Sequence, residues 1–142
     1  MTVARIINQK GTATVSVSPD APLTEAIQLL SQNNIGALVV SDDGVSVIGI
    51  LSERDIICGF AKSGAAFLEQ PVHALMASEV QTCAPQDTTM SLLARMTEQR
   101  VRHMPVVEDG RLAGIVSIGD VVKLRLDDLA ADVESMRDYI TH

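Results

Sequence analysis

The 142-residue chain has no tryptophan, one tyrosine and two phenylalanines. Its core must therefore be aliphatic, and it lacks the aromatic platforms on which proteins stack single-stranded bases. Cations are scarce too: 11 lysines and arginines stand against 18 acidic residues, and the net charge of -7 repels phosphate backbones at long range. Nucleic acid is thus not an expected partner. Cys58 and Cys83, the two cysteines, lack zinc-ligand or redox spacing and sit in apolar contexts, so both are expected to be buried, reduced thiols. No stretch reaches the roughly 18 uninterrupted apolar residues of a membrane span, and residues 1–10 hold no long apolar run. A soluble, cytoplasmic protein with no membrane partner is expected. Catalytic signatures are missing as well: neither Ser52 nor Ser117 has a histidine and an acid spaced around it, and His73, His103 and His142 form no metal-ligand set, so neither an enzyme nor a metal site is expected.

What is present is one unit written twice. Gly-Ile-Leu-Ser-Glu-Arg-Asp at Gly49–Asp55 returns as Gly-Ile-Val-Ser-Ile-Gly-Asp at Gly114–Asp120, 65 residues on. Ser18-Pro19 answers Ala84-Pro85, the run Ile35–Val40 answers Val101–Val106, and Asp43-Gly44 answers Asp109-Gly110, all at an offset of 66, so the first hairpin holds one extra residue. A duplication of this kind means two supersecondary units, neither of which need bury its apolar face alone, and the two are expected to pack on each other.

Within the first unit the pattern predicts a strand over Thr14–Val17, a helix carrying Leu23, Ala26, Ile27 and Leu30, a buried strand over Ala37–Val40, a turn at Asp42-Asp43-Gly44, a strand over Val47–Leu51 and a helix from Ser52 through Phe60. The second unit repeats this order: a strand over Val80–Cys83, a helix over Met90–Gln99, strands over Met104–Val107 and Leu112–Val116, and a helix from Ile118. The expected organisation is an arm (1–12), repeat one (13–61), a linker with a surface loop over Lys62–Glu69 and a short helix over Pro71–Met76 (62–76), repeat two (77–126) and a helical extension (127–142). In the last helix Val122, Leu126, Leu129, Val133, Met136 and Ile140 advance by 4, 3, 4, 3 and 4, a seam of period 3.5 that needs a partner. The helix can fold back on its own domain or pair with a second subunit, and the second is expected.

Ser52-Glu53-Arg54-Asp55 and Ser117-Ile118-Gly119-Asp120 each follow a strand and open a helix. A serine with an acidic residue three places on is an ordinary capping arrangement. At equivalent places in a duplicated unit it also suits a nucleotide, because free amides at a helix start attract phosphate and a carboxylate can accept ribose hydroxyls.

The doubled set of Ser-Pro-Asp, Asn-Ile-Gly-Ala-Leu-Val-Val, Asp-Gly and Gly-Ile-Leu-Ser-Glu-Arg-Asp, then Arg-His-Met-Pro-Val-Val, Asp-Gly and Gly-Ile-Val-Ser-Ile-Gly-Asp, resembles a tandem pair of cystathionine beta-synthase (CBS) domains over about residues 13–126. Ile-Gly-Asp-Val-Val-Lys at Ile118–Lys123 is similar to the ending of stand-alone bacterial pairs, with no enzyme, channel or transporter attached. The resemblance implies an α+β fold of two βαββα repeats about a pseudo-twofold, dimers formed through the helices of both repeats, and two clefts for adenosine-containing ligands such as AMP, ADP, ATP, NAD(H) or S-adenosylmethionine. By the resemblance, the first cleft takes Asp120 for ribose and Ser117 for phosphate, facing Ile35, Gly36, Ala37 and Val15; Gly119 leaves it only Lys10 or helix amides for phosphate charge. The second takes Asp55 and Ser52 with Arg54, Gln81, Arg102, His103, Met104 and Pro105, its cations converging on phosphate, and Met104 and Ile35 offer apolar surface to adenine. Many members carry Met-Thr before the second repeat where this chain has Met76-Ala77, leaving Ser78 as the nearest hydroxyl. Three readings follow: an adenine-nucleotide sensor acting on an unknown protein partner, an interaction module with vestigial clefts, and a redox sensor using Cys58 and Cys83.

Overall fold

A computed structural model describes residues 1–11 and 14–141; the expected arm boundary at residues 12 and 13, and His142, lie outside the described residues. In chain order the elements are α1 (Val3–Lys10), β1 (Ser16–Val17), α2 (Leu23–Asn33), β2 (Ala37–Val40), β3 (Gly49–Ser52), α3 (Glu53–Ser63), two 3-10 turns (Gly64–Glu69 and Val72–Ala74), α4 (Thr89–Gln99), β4 (His103–Glu108), β5 (Arg111–Ser117) and α5 (Ile118–Thr141). β1 runs parallel to β2, which pairs antiparallel with β3; β4 and β5 form a separate antiparallel hairpin.

The duplication is legible in the backbone. α2 buries Leu23, Ala26 and Leu30 and ends on left-handed Asn34 (φ 52°); α4 buries Thr89, Leu92 and Met96 and ends on left-handed Arg100 (φ 56°). Each helix then delivers a mostly buried strand, and each repeat has its own aliphatic cluster, one around Leu23, Leu38, Val40 and Leu51, the other around Leu92, Met104, Val106 and Val116. The hairpin turns differ. Asp109-Gly110 makes a tight turn with both φ positive, whereas the first connection is held by the Asp43 carboxylate, which accepts from the amides of Val45 (2.8 Å) and Ser46 (2.7 Å). These two amides, Ser46's foremost, hold the Asp43 carboxyl down to about 2.

Four expectations need correction. The expected N-terminal arm is a helix docked on repeat two: Val3 and Ile6 of α1 are buried in that repeat's core, with Ile7 against it. The loop expected at Lys62–Glu69 is the end of α3 and a 3-10 turn whose Phe67 is buried in repeat one, edge-on to Phe60 with ring centroids 5.8 Å apart. The strand expected at Val80–Cys83 shrinks to one bridge, Cys83 with Val106, because Pro105, facing it on β4, accepts from Cys83 but has no N–H to carry the ladder back along the chain. Cys58 is exposed on α3; only Cys83 is buried, and burial pushes its thiol up to about 11, helped by the charge of Asp87.

The N-terminal segment has a counterpart in residues 70–76. Val3 and Ala4 donate to the carbonyls of Asp87 and Pro85 in repeat two, and Thr89 donates to Met1; Val72 and His73 donate to Ala21 and Pro19 in repeat one, and Leu23 donates to Gln70. Thr2 bridges Thr88 as Pro71 bridges Pro22. A Cβ at Gly114 would stand 2.6 Å from Ile7, and one at Gly49 2.5 Å from Met76. Residues 1–7 therefore do for repeat two what residues 70–76 do for repeat one.

Candidate functional site

The site is assembled where the two hairpins open. Ala37 pairs with Ser52 and His103 with Ser117, so each hairpin ends at the serine that starts a helix. Both helix starts are capped reciprocally. Ser52 N–H donates to Asp55 Oδ2 (2.9 Å) and Asp55 N–H to Ser52 Oγ (3.3 Å); Ser117 N–H donates to Asp120 Oδ2 (2.8 Å) and Asp120 N–H to Ser117 Oγ (3.1 Å). The amides one step on donate to the strand before: Glu53 to Gly36 O (3.0 Å) and Ile118 to Arg102 O (2.8 Å). Both carboxylates therefore serve their own helices.

Of the residues assigned to the first cleft, Lys10, Ser117 and Asp120 come together. Lys10 Nζ donates to Asp120 Oδ2 (2.8 Å) and to the carbonyl of Ile115 (3.0 Å). Burial favours the protonated form of Asp120, but the hydrogen bond and charge of Lys10 and the Ser117 amide outweigh it and hold the carboxyl below the usual 3.8. Ile35 and Val15 lie half-buried at the edge of the repeat-one core, Gly36 is half-buried, Ala37 is buried in β2 and Gly119 is exposed.

The second set is less gathered. His103 stands at the junction of the repeats, where a Cβ on Gly36 would lie 3.1 Å from its Nε2 and 3.1 Å from Glu53 Oε1. Burial pulls the imidazole below its ordinary 6.5 against the opposing charges of Glu53 and Asp120, while Lys10 and Arg102 add to the lowering. His103 is thereby associated with first-cleft Asp120 and Lys10, because β4 sets it opposite Ser117. Met104 has 0 % exposure and belongs to the repeat-two core, so its side chain has no free surface for an adenine, and Pro105 is also buried. Arg54, Arg102 and Gln81 are exposed, and among the described residues neither arginine forms an ion pair. Asp55 opens instead on a groove of about 310 Å³ lined with Cys58, Gly59, Lys62, Gln70 and Leu75. Glu53 was not singled out by the sequence; its place between Ser52 and Arg54 in the doubled motif is the signal that could have found it.

The sequence pattern of the CBS domain matches residues 11–61 and again residues 72–127, and the chain belongs to that family as a CBS-domain pair. It is 29% identical over 147 residues to the mitochondrial CBS domain-containing protein CBSX3 of Arabidopsis thaliana, covering 98% of this chain and 71% of the relative. Its structure is similar to that of the CBS-domain-containing protein ATU1752 from Agrobacterium tumefaciens, with 48% identity, a TM-score of 0.84, and coverage of 88% of this chain and 99% of that one. The CBS domain pair of protein MJ0100, solved with 5-methylthioadenosine and S-adenosyl-L-methionine, shares the fold at 22% identity and a TM-score of 0.78, with coverage of 87% and 98%. No helix among the described residues is long and apolar enough to cross a membrane.

Proposed function

We propose that this CBS-domain pair is a non-catalytic regulatory module that binds adenine nucleotides, AMP, NAD(H) or ATP, at the junction of its repeats and passes their occupancy to a protein partner. The observation that carries this reading is the doubled helix start, in which Ser52 with Asp55 and Ser117 with Asp120 recur at equivalent strand ends. A serine, helix amides and a carboxylate offer acceptors for ribose hydroxyls and donors for phosphate. The adenosine compounds bound by the MJ0100 pair support the ligand class. A ligand touching both repeats shifts their relative arrangement only by its differential affinity for the two arrangements. The exposed apolar side chains of α3 and α5 support homodimerisation as the route by which such a shift leaves the molecule.

The test is thermal unfolding of protein stripped of copurified ligand, with AMP, ADP, ATP, NAD, NADH and S-adenosylmethionine. A ligand at about 100 times its dissociation constant adds about 2.7 kcal/mol to stability. Selective stabilisation by one or two of them, lost in Asp55→Ala and Asp120→Ala, supports the sensor. No shift with any of them leaves the second reading, an interaction module with vestigial clefts, which the exposed α5 seam favours.

A further inference from the structure

The two helix starts are not electrostatically alike, and the difference originates in the exchanged N-terminal segments. In repeat one the backbone of Ile50 exchanges two hydrogen bonds with Ala77 (2.9 and 3.0 Å). The matching residue in repeat two is Ile115, 65 places on, and there α1 presents no such strand partner. The Ile115 carbonyl accepts from Lys10 Nζ instead, at 3.0 Å, and the same ammonium lies 2.8 Å from Asp120 Oδ2. Two acceptors from two elements thus fix the end of a flexible side chain. Continuing the match of residues 1–7 with 70–76, the place of Lys10 falls on Glu79, and among the described residues Asp55 has no ion pair. One helix-start carboxylate is latched by a cation and its twin is not.

We propose that Lys10 is a specificity-determining residue that makes the Asp120 cleft select phosphorylated adenosine over the neutral nucleoside. This rests on the nucleotide-binding reading above. A nucleoside reaching for Asp120 competes with the ammonium and returns nothing to it. A phosphate monoester supplies a new anionic acceptor, so Lys10 leaves Asp120 for the phosphate without losing a charge partner. The pair is partly exposed, with side chains 39% and 24% accessible, so it can open without unfolding α1.

The experiment is calorimetric titration with adenosine and with AMP of the full chain carrying Asp55→Ala, which leaves the Asp120 cleft, and of the same chain carrying Lys10→Met or Lys10→Gln in addition. Adenosine is expected to bind about two- to fivefold more tightly once Lys10 is gone, as loss of a competing ion pair of up to about 1 kcal/mol gives. AMP binds no more tightly, so its preference over adenosine falls. An unchanged preference, or weaker adenosine binding, overturns the latch while nucleotide binding stands. If wild-type protein binds these compounds and the Asp55→Ala protein binds neither, the Asp120 cleft is not a site and the latch falls alone. If wild-type protein binds neither they, nor any other adenosine compound tried, both readings fall. Either Lys10 variant serves, and matching thermal midpoints check that α1 is intact.

Discussion

Asp55 and Asp120 are each asked to do two things. In the fold each caps a helix through its Oδ2, and the ribose role draws on the same carboxylate. Asp55→Ala and Asp120→Ala should each lower folding stability by about 1 kcal/mol, the usual worth of a cap, with the circular dichroism spectrum retained, while calorimetry shows one weakened nucleotide site apiece. Outright unfolding of either variant would mean that capping is the whole of its role. His103 makes a pH prediction. Its imidazole is held below 6.5 in the fold, so the unfolded chain takes up a proton at a higher pH than the folded one. Stability from this group is complete above about 6.5 and declines as pH falls below it. Urea midpoints from pH 7.5 to 5 should show that slope, and His103→Gln should flatten it. The cysteines part in the same way: a thiol reagent should label exposed Cys58 promptly and reach Cys83 only on unfolding, since burial keeps that thiol protonated. A redox switch formed by the pair would require Cys83 to react in the folded state.

Among the elements, α1 has the most consequence for its length. Eight residues with Val3 and Ile6 fully or nearly buried complete the core of repeat two, as Phe67 and Val72 complete that of repeat one. Each repeat thus owes part of its core to a segment that precedes the other in the chain. Ile6→Ala should cost about 2–5 kcal/mol, the range for emptying a buried aliphatic position, measured by urea unfolding. If the cost were under 1 kcal/mol, α1 would be an appendage. The same element supplies Lys10, so loosening α1 should also blur the choice between AMP and adenosine in the Asp120 cleft.

At the scale of the whole molecule, the apolar surface is unevenly spread. α5 buries only Val121 and Leu124, while Val122, Leu126, Leu129, Val133, Met136 and Ile140 are between 48% and 77% exposed. Ile57 and Phe60 on α3 and Met90 on α4 are exposed as well. A helix face this apolar is expected to meet a second copy. Leu129→Lys together with Val133→Lys should convert a dimer into a monomer in light scattering, leaving nucleotide-dependent stabilisation in place. A wild-type monomer at tens of micromolar concentration would remove the dimer reading.

The repeat, the order of its elements, the serine–aspartate helix starts and the 3.5-residue seam were all legible in the sequence, because each rests on spacing within about ten residues or on the likeness of one stretch to another. The strand expected at Val80–Cys83 failed because strand propensity is local, whereas pairing depends on the distant strand it meets, where Pro105 has no N–H to give. Met104 reads as a surface contact in its motif and is core in the fold, since β4 turns it toward Leu92 and Val116. The surface-like segment 62–69 hid Phe67 for the same reason. Lys10 and Asp120 stand 110 positions apart in the chain and 2.8 Å apart in space. Sequence alone named both as members of one cleft through a family resemblance, but that they neutralise each other there was decided by the docking of α1 on repeat two. Local chemistry sets which elements form; which carboxylate acquires a cation depends on where the chain, once folded, brings a distant end back.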